Sequence, residues 1–83
     1  MDRQEILEEL KKVLTPYVDN KELLNGITEE TDLLADLKIN SSNLVDIIID
    51  AESQYNIEID FDSADKMIKV GSCIDVIDEK MKK

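Results

Sequence analysis

The sequence predicts an all-α fold: a small antiparallel four-helix bundle with three longer helices, a short third helix and a long loop between helices 1 and 2. In three segments of the chain, apolar residues recur at intervals of three and four, as on one face of a helix. The 83 residues include only two glycines and one proline, fewer than a hairpin-rich β fold needs for its turns. Residues 56–60 alternate like a strand, but no second convincing strand is available to pair with them, so we expect an extended loop there.

The first helix is predicted over residues 3–15, and Pro16 stops it or bends its end. A polar connection follows, after which three leucines are expected to fold back onto the core: Leu33, Leu34 and Leu37.

The second helix is predicted from Ser41 to about Gln54. A short third helix is expected to be capped by Asp62 and Ser63 and to end at Ile68. The fourth helix is predicted over residues 70–81. We expect residues 1–83 to form one domain, which acts as a monomer.

Charge and composition exclude several classes of function. The net charge is −10, with eleven acids and one base between residues 29 and 65, so a nucleic-acid partner is not expected. No apolar stretch approaches the length of a membrane span, and the polar start resembles no signal peptide, so we expect a cytoplasmic protein. The chain has no histidine, which excludes a Ser-His-Asp triad and a histidine metal site.

Catalytic and metal sites are therefore not predicted. Cys73 lies on the apolar pattern of the fourth helix and is expected to be a core residue. The acidic run that starts at Asp60 fails the calcium-loop pattern, because its sixth residue is Asp65 and its twelfth is Gly71. Weak divalent binding by the acidic surface stays open.

The second helix carries apolar residues away from its core face. On a helical wheel, Val45 and Ile49 lie one turn apart on the outer flank, with Asp46 and Asp50 beside them. An apolar ridge with an acidic edge suits a partner that offers a groove and basic residues. In the alternative interpretation, Val45 and Ile49 pack against the loop between helices 1 and 2.

Two serines stand where this helix begins. Asn40, Ser41 and Ser42 are all residue types that cap helices. A helix start also favours a bound phosphate, through its free N–H groups and its dipole. The residues alone leave both interpretations open.

The order of residues around the serines resembles the acyl carrier proteins. That family attaches 4′-phosphopantetheine to a serine at the start of its second helix, within a motif close to Leu-Gly-x-Asp-Ser-Leu-x-x-Val-Glu-Leu. From Leu37 to Ile47, this chain reads Leu-Lys-Ile-Asn-Ser-Ser-Asn-Leu-Val-Asp-Ile. The resemblance covers nearly the whole chain and is also carried by Thr31, Leu33, Glu52, Tyr55, Glu58, Ile59, Val70 and Ile74.

The resemblance selects Ser41 for the arm and keeps Ser42 as the alternative. With Ser41 modified, Val45, Asp46 and Ile47 match the family's Val-Glu-Leu, and with Ser42 the match fails. The departures from the motif include Asn40 for Asp, Ser42 for Leu or Met, and Lys38 for Gly. They indicate a divergent carrier served by dedicated partners.

The resemblance implies a carrier without activity of its own. A phosphopantetheinyl transferase would load the arm from coenzyme A, and acyl groups would be held on it as thioesters for fatty-acid, polyketide or related enzymes. These enzymes would dock through basic patches on a surface formed by Asn40, Ser42, Val45, Asp46, Ile49, Asp50 and Glu52. The rival hypothesis is an unmodified carrier-like module that uses the same face for protein contacts only.

Overall fold

The computed structural model describes residues 2–82, which fold into a small bundle of helices with a radius of gyration of 11.5 Å. In chain order the α-helices are α1 (Arg3–Leu14), α2 (Glu22–Asn25), α3 (Leu44–Tyr55), α4 (Phe61–Ala64) and α5 (Val70–Met81), and 3₁₀ turns span Thr15–Tyr17 and Ser41–Asn43. The three long helices pack around one core, with α1 against both α3 and α5. The predicted all-α bundle is confirmed.

Helix α1 is built as its sequence pattern predicts. Asp2 caps it by accepting the backbone N–H of Glu5 at 2.8 Å, and Glu5 reaches back toward the N–H of Asp2. Its apolar stripe includes Ile6, Leu10 and Leu14, all fully buried. The helix gives way to a 3₁₀ turn at Pro16, where the sequence predicts its end.

The long loop after α1 contains the short helix α2, which the sequence did not predict. Its four residues include one buried anchor, Leu24. Farther along the loop, Leu33, Leu37 and also Ile39 are buried, whereas Leu34 is only half-buried. The loop therefore contributes much of its apolar surface to the core.

Helix α4 is shorter than predicted and begins earlier. It follows Asp60, which has the extended backbone typical of an N-cap, and it ends at Ala64 rather than Ile68. Residues 65–68 form turns instead, and the N–H of Ile68 donates to the Lys66 carbonyl at 3.0 Å rather than to the carbonyl four residues back. The chain becomes extended at Lys69, which pairs with Asp32. This pairing requires an extended chain.

The interior is almost entirely aliphatic. Tyr55 is the one aromatic residue of the buried core within residues 2–82, and its hydroxyl donates a hydrogen bond to the Ile6 carbonyl at 2.9 Å. Cys73 is fully buried, as predicted, and burial raises the pKa of its thiol to about 12. None of the helices between residues 2 and 82 has both the length and the hydrophobicity that a membrane crossing demands.

The start of α5 is tied to the loop by its backbone. Gly71 donates its N–H to the Glu29 carbonyl at 2.7 Å, and Val70 donates to the Thr31 carbonyl at 2.9 Å. A Cβ on Gly71 would lie 2.7 Å from the Glu29 carbonyl oxygen. Only glycine permits this close approach without a shift of one backbone against the other.

We therefore predict that Gly71→Ala lowers the free energy of unfolding by about 1–3 kcal/mol, the usual cost of overpacking. Gly26→Ala is the matched control, because nothing lies within 4 Å of a Cβ at that position. Urea denaturation monitored by circular dichroism compares the two variants with the parent. Equal stability of Gly71→Ala and the parent would contradict the role given to this contact.

Candidate functional site

The 3₁₀ turn Ser41–Asn43 leads directly into α3 and is capped by Asn40. The side-chain oxygen of Asn40 accepts the backbone N–H of Ser42 at 3.0 Å, and its carbonyl accepts the N–H of Asn43 at 2.8 Å. Its backbone is extended, as expected of an N-cap. The capping function predicted for this stretch thus falls to Asn40, and neither serine is needed for it.

The two serine hydroxyls have different environments. Ser42 Oγ donates to Asn40 Oδ1 at 2.9 Å. Both serines are exposed, but no hydrogen bond to the Ser41 hydroxyl occurs within the part of the chain that the structure describes. Asn40 and Ser42, two departures from the expected motif, therefore form one hydrogen-bonded unit that leaves Ser41 unengaged.

The segment before Asn40 fixes the position of the turn. Leu37 and Ile39 are buried on either side of Lys38, whose backbone has a φ of 57°. This left-handed conformation costs a residue with a side chain about 1–2 kcal/mol, and glycine is the residue it favours. Lysine therefore occupies a conformation better suited to glycine, and the two buried neighbours hold it there.

Earlier in the same segment, the side chain of Asp32 stabilises a turn. Its carboxylate accepts the N–H groups of Ala35 and Leu34 at 2.9 and 2.8 Å, and these bonds lower the pKa of Asp32. The N–H of Ile39 donates to the Leu33 carbonyl at 3.1 Å. Ser41 thus stands two residues after a tightly hydrogen-bonded turn.

Ser41 lies at one end of an open groove of about 490 Å³ between α3 and the region of α4. Most of the groove wall is aliphatic. The lining residues are Ser41, Leu44, Val45, Ile48, Ile49, Glu52, Ile59, Phe61, Ala64, Asp65 and Ile68.

The predicted apolar ridge of α3 is exposed. Val45 retains 61% of its accessible surface and Ile49 retains 55%. The loop between α1 and α3 therefore does not cover them, and the packing alternative for these residues is wrong. Both side chains lie on the groove that begins at Ser41.

The acids predicted beside this ridge have separate environments. Asp46 is exposed, whereas Asp50 accepts a hydrogen bond from the Tyr17 hydroxyl at 2.5 Å, which raises the pKa of Tyr17 to about 12. Glu52 is half-buried and accepts the backbone N–H of Ile59 at 2.8 Å. Asp50 and Glu52 thus have structural contacts, and Asp46 is the predicted acid with a free carboxylate within residues 2–82.

The far wall of the groove was not predicted from the sequence. It is formed in part by Phe61 and Ile68, which are 91% and 43% exposed. Asp60 precedes this wall as the N-cap of α4, and hydrogen bonds from Ser63 and Lys80 hold the pKa of its carboxyl well below the usual range. The distance between Asp60 Oδ1 and Lys80 Nζ is 3.0 Å.

No metal site is visible in the described range 2–82. No group of three or more histidine, cysteine, aspartate or glutamate residues there is arranged to hold an ion.

We predict that Asn40→Ala lowers the free energy of unfolding by about 1 kcal/mol, because it removes the acceptor that caps the turn. Asn40→Asp is the matched control, since a carboxylate retains that acceptor and suits a helix N-terminus. Urea denaturation of both variants beside the parent measures the difference. A loss of stability in Asn40→Asp as large as in Asn40→Ala would contradict the capping assignment.

Comparison with known proteins gives two informative similarities, although no family model matches the chain. The chain is 27% identical over 77 residues to an acyl carrier protein of Picosynechococcus sp., and the match covers 93% of each chain. It is also similar to the solved structure of the acyl carrier protein from Enterococcus faecalis, with a TM-score of 0.77 and 24% identity. That match covers 96% of this chain and 99% of the other, and it establishes the likeness of fold.

Proposed function

We propose that this chain, which belongs to the acyl carrier protein family as a divergent member, holds acyl groups on a 4′-phosphopantetheine arm attached to Ser41. When attached, the arm supplies a terminal thiol that holds the acyl group as a thioester. The chain would deliver these groups to fatty-acid, polyketide or related biosynthetic enzymes. In this role it acts as one monomeric domain of residues 1–83 in the cytoplasm and catalyses no reaction itself.

The observation that carries this proposal is the contrast between the two serines. A serine that receives a phosphodiester needs a hydroxyl that an enzyme can reach and that no neighbour occupies. The hydroxyl of Ser41 is exposed and has no hydrogen-bond partner within residues 2–82, whereas that of Ser42 donates to Asn40. These environments favour Ser41 as the attachment site over Ser42.

The surroundings of Ser41 fit a 4′-phosphopantetheine group. A phosphodiester there would sit at the beginning of α3, where the helix dipole favours negative charge. Space is available, because Ser41 opens onto the groove rather than the packed core. The Asn40–Ser42 hydrogen bond would keep the turn in place while a phosphopantetheinyl transferase acts on its neighbour.

The protein also offers a suitable surface for an acyl chain. An acyl chain is apolar, and its removal from water is favourable in proportion to the area that is covered. The groove offers aliphatic side chains from α3, among them Leu44 and Ile48, within reach of the attachment point. Part of a bound acyl chain would be sheltered there.

Partner enzymes would dock on the exposed flank of α3. Val45 and Ile49 offer apolar contact, and Asp46 offers a carboxylate to a lysine or arginine of the partner. Asn40 and Ser42 would lie at the edge of this surface. Asp50 and Glu52, although predicted for the same surface, would contribute less because their carboxylates already accept hydrogen bonds.

We predict that the parent protein gains the mass of one phosphopantetheine when incubated with coenzyme A and a broad-specificity phosphopantetheinyl transferase. Ser41→Ala should show no gain, because the acceptor oxygen is absent. Ser42→Ala is the matched control and should be modified like the parent. Intact-mass spectrometry measures all three.

Two results would contradict this assignment. A gain that survives Ser41→Ala and disappears in Ser42→Ala would move the arm to Ser42. If the parent shows no gain while a known carrier protein is modified in a parallel reaction, the unmodified interaction module becomes the better account.

A further inference from the structure

Lys38 has a backbone conformation that a residue with a side chain disfavours. Of the residues other than glycine in the described range 2–82, Lys38 and Asn56 have a positive φ, at 57° and 54°. Asn56 follows the last residue of α3, where asparagine commonly ends a helix. At Lys38 the conformation closes a turn, in which the N–H of Ile39 donates to the Leu33 carbonyl at 3.1 Å. Glycine would close the same turn at lower cost, so the turn explains the conformation but not the lysine.

The side chain of Lys38 lies close to Ser41 along the chain. Both residues are exposed, and between them Ile39 is buried in the core whereas Asn40 is exposed. The Cα atoms of Lys38 and Ser41 are at most about 11 Å apart, the length of three extended residues. The flexible four-carbon stem of lysine can close such a gap toward a group carried on the serine. A strained residue beside a proposed attachment site is a candidate for a function of its side chain.

Lys38 is also an isolated positive charge in an acidic region. It is the one base among residues 29–65, which contain eleven acids. Within residues 2–82, its ammonium group takes part in no salt bridge. The ammonium group is therefore available to an anion that the protein acquires.

The beginning of α3 offers few free donors to a phosphate on Ser41. The N–H groups of Ser42 and Asn43 both donate to Asn40, one to its side chain at 3.0 Å and one to its carbonyl at 2.8 Å. The N–H of Leu44 donates to the carbonyl of Ser41. The helix dipole still favours an anion there, but the backbone N–H groups that usually bind one are already engaged. A phosphate at this position therefore calls for a donor from outside the turn.

We infer that Lys38 binds the phosphate of the arm on Ser41 and holds the base of the arm beside the turn that precedes α3. This inference rests on the proposed function, because it assigns a contact to the group that Ser41 would carry. The ammonium offers three N–H donors to the phosphodiester and offsets its repulsion by nearby acids such as Asp46. Lys38 does not line the groove, so it would bind the phosphate without occupying the place of the acyl chain.

The test places phosphoserine at position 41 during translation, which provides a phosphate on this oxygen without a transferase or coenzyme A. The second proton of phosphoserine is lost near pH 6, and ³¹P NMR follows this titration directly. A nearby cation favours the dianion and lowers the pKa of the phosphate. Lys38→Gln should therefore raise this pKa by about 0.2–0.7, as expected for loss of an exposed ion pair. Lys38→Arg should keep the parent value.

Lys12→Gln is the matched control, because it removes a lysine near the other end of α3. Lys12 lines a hollow with Asp50, Ser53 and Gln54, about 15 Å farther along the helix than Ser41 at 1.5 Å per residue. Exposed charges separated by more than about 10 Å are largely screened, so this variant should leave the phosphate pKa unchanged. In about 1 M salt, the difference between Lys38→Gln and the parent should also shrink.

A third variant, Lys38→Gly, separates the charge from the backbone. It removes the ammonium and also relieves the disfavoured conformation. We expect it to raise the phosphate pKa as Lys38→Gln does, and to unfold at a higher urea concentration than Lys38→Gln.

Two results would overturn the inference. An equal phosphate pKa in Lys38→Gln and the parent would mean that the helix start holds the phosphate alone. An equal rise in Lys12→Gln would reduce the effect to the overall charge of the protein. Neither result depends on enzymatic modification of Ser41, so an unchanged pKa would leave the proposed attachment site standing, and failure of enzymatic loading would not alter the titration.

Discussion

The backbone pairing between the long loop and the start of α5 is the constraint on which the rest of the site depends. Three hydrogen bonds of 2.7–2.9 Å join residues 29–33 to residues 68–71. Buried backbone groups must find partners, and here each segment satisfies the other. Gly71 makes this close approach possible because it has no Cβ, and a Cβ at this position would collide with the Glu29 carbonyl oxygen. This contact joins the loop that leads to α3 to the segment that follows α4.

This backbone contact positions both walls of the groove. On one side, the paired loop continues through buried Leu37 and Ile39 to the Asn40 cap, which sets Ser41 at the head of α3. On the other side, the pairing of Lys69 with Asp32 holds the segment that follows α4, the short helix that carries Phe61. Ser41, the proposed attachment point, and the exposed Phe61 thus belong to one supported frame, although they are separated in the sequence by the whole of α3.

The sequence predicts the long helices well and the groove poorly, for physical reasons. Helical periodicity is a local signal, so α1 and α5 are found within one residue of their predicted ends. The predicted second helix begins at Ser41 as a 3₁₀ turn and becomes the α-helix α3 only at Leu44. The chain that follows α4 is bonded to the distant Leu33 and Asp32, and no local pattern contains those contacts. The sequence also predicts Asp50 on the partner surface, but it contains no sign of the hydrogen bond that Asp50 accepts from Tyr17, a residue 33 positions earlier. A lone phenylalanine in an acidic segment was the available signal for the second wall.

Fragmentation mass spectrometry tests most directly whether Ser41 bears the arm in the living cell. The protein would be purified from the cells that naturally produce it, without added transferase, and the peptide containing residues 40–43 would be sequenced. We expect phosphopantetheine on Ser41 and none on Ser42. Phosphopantetheine on Ser42, or a peptide free of any modification, would contradict it.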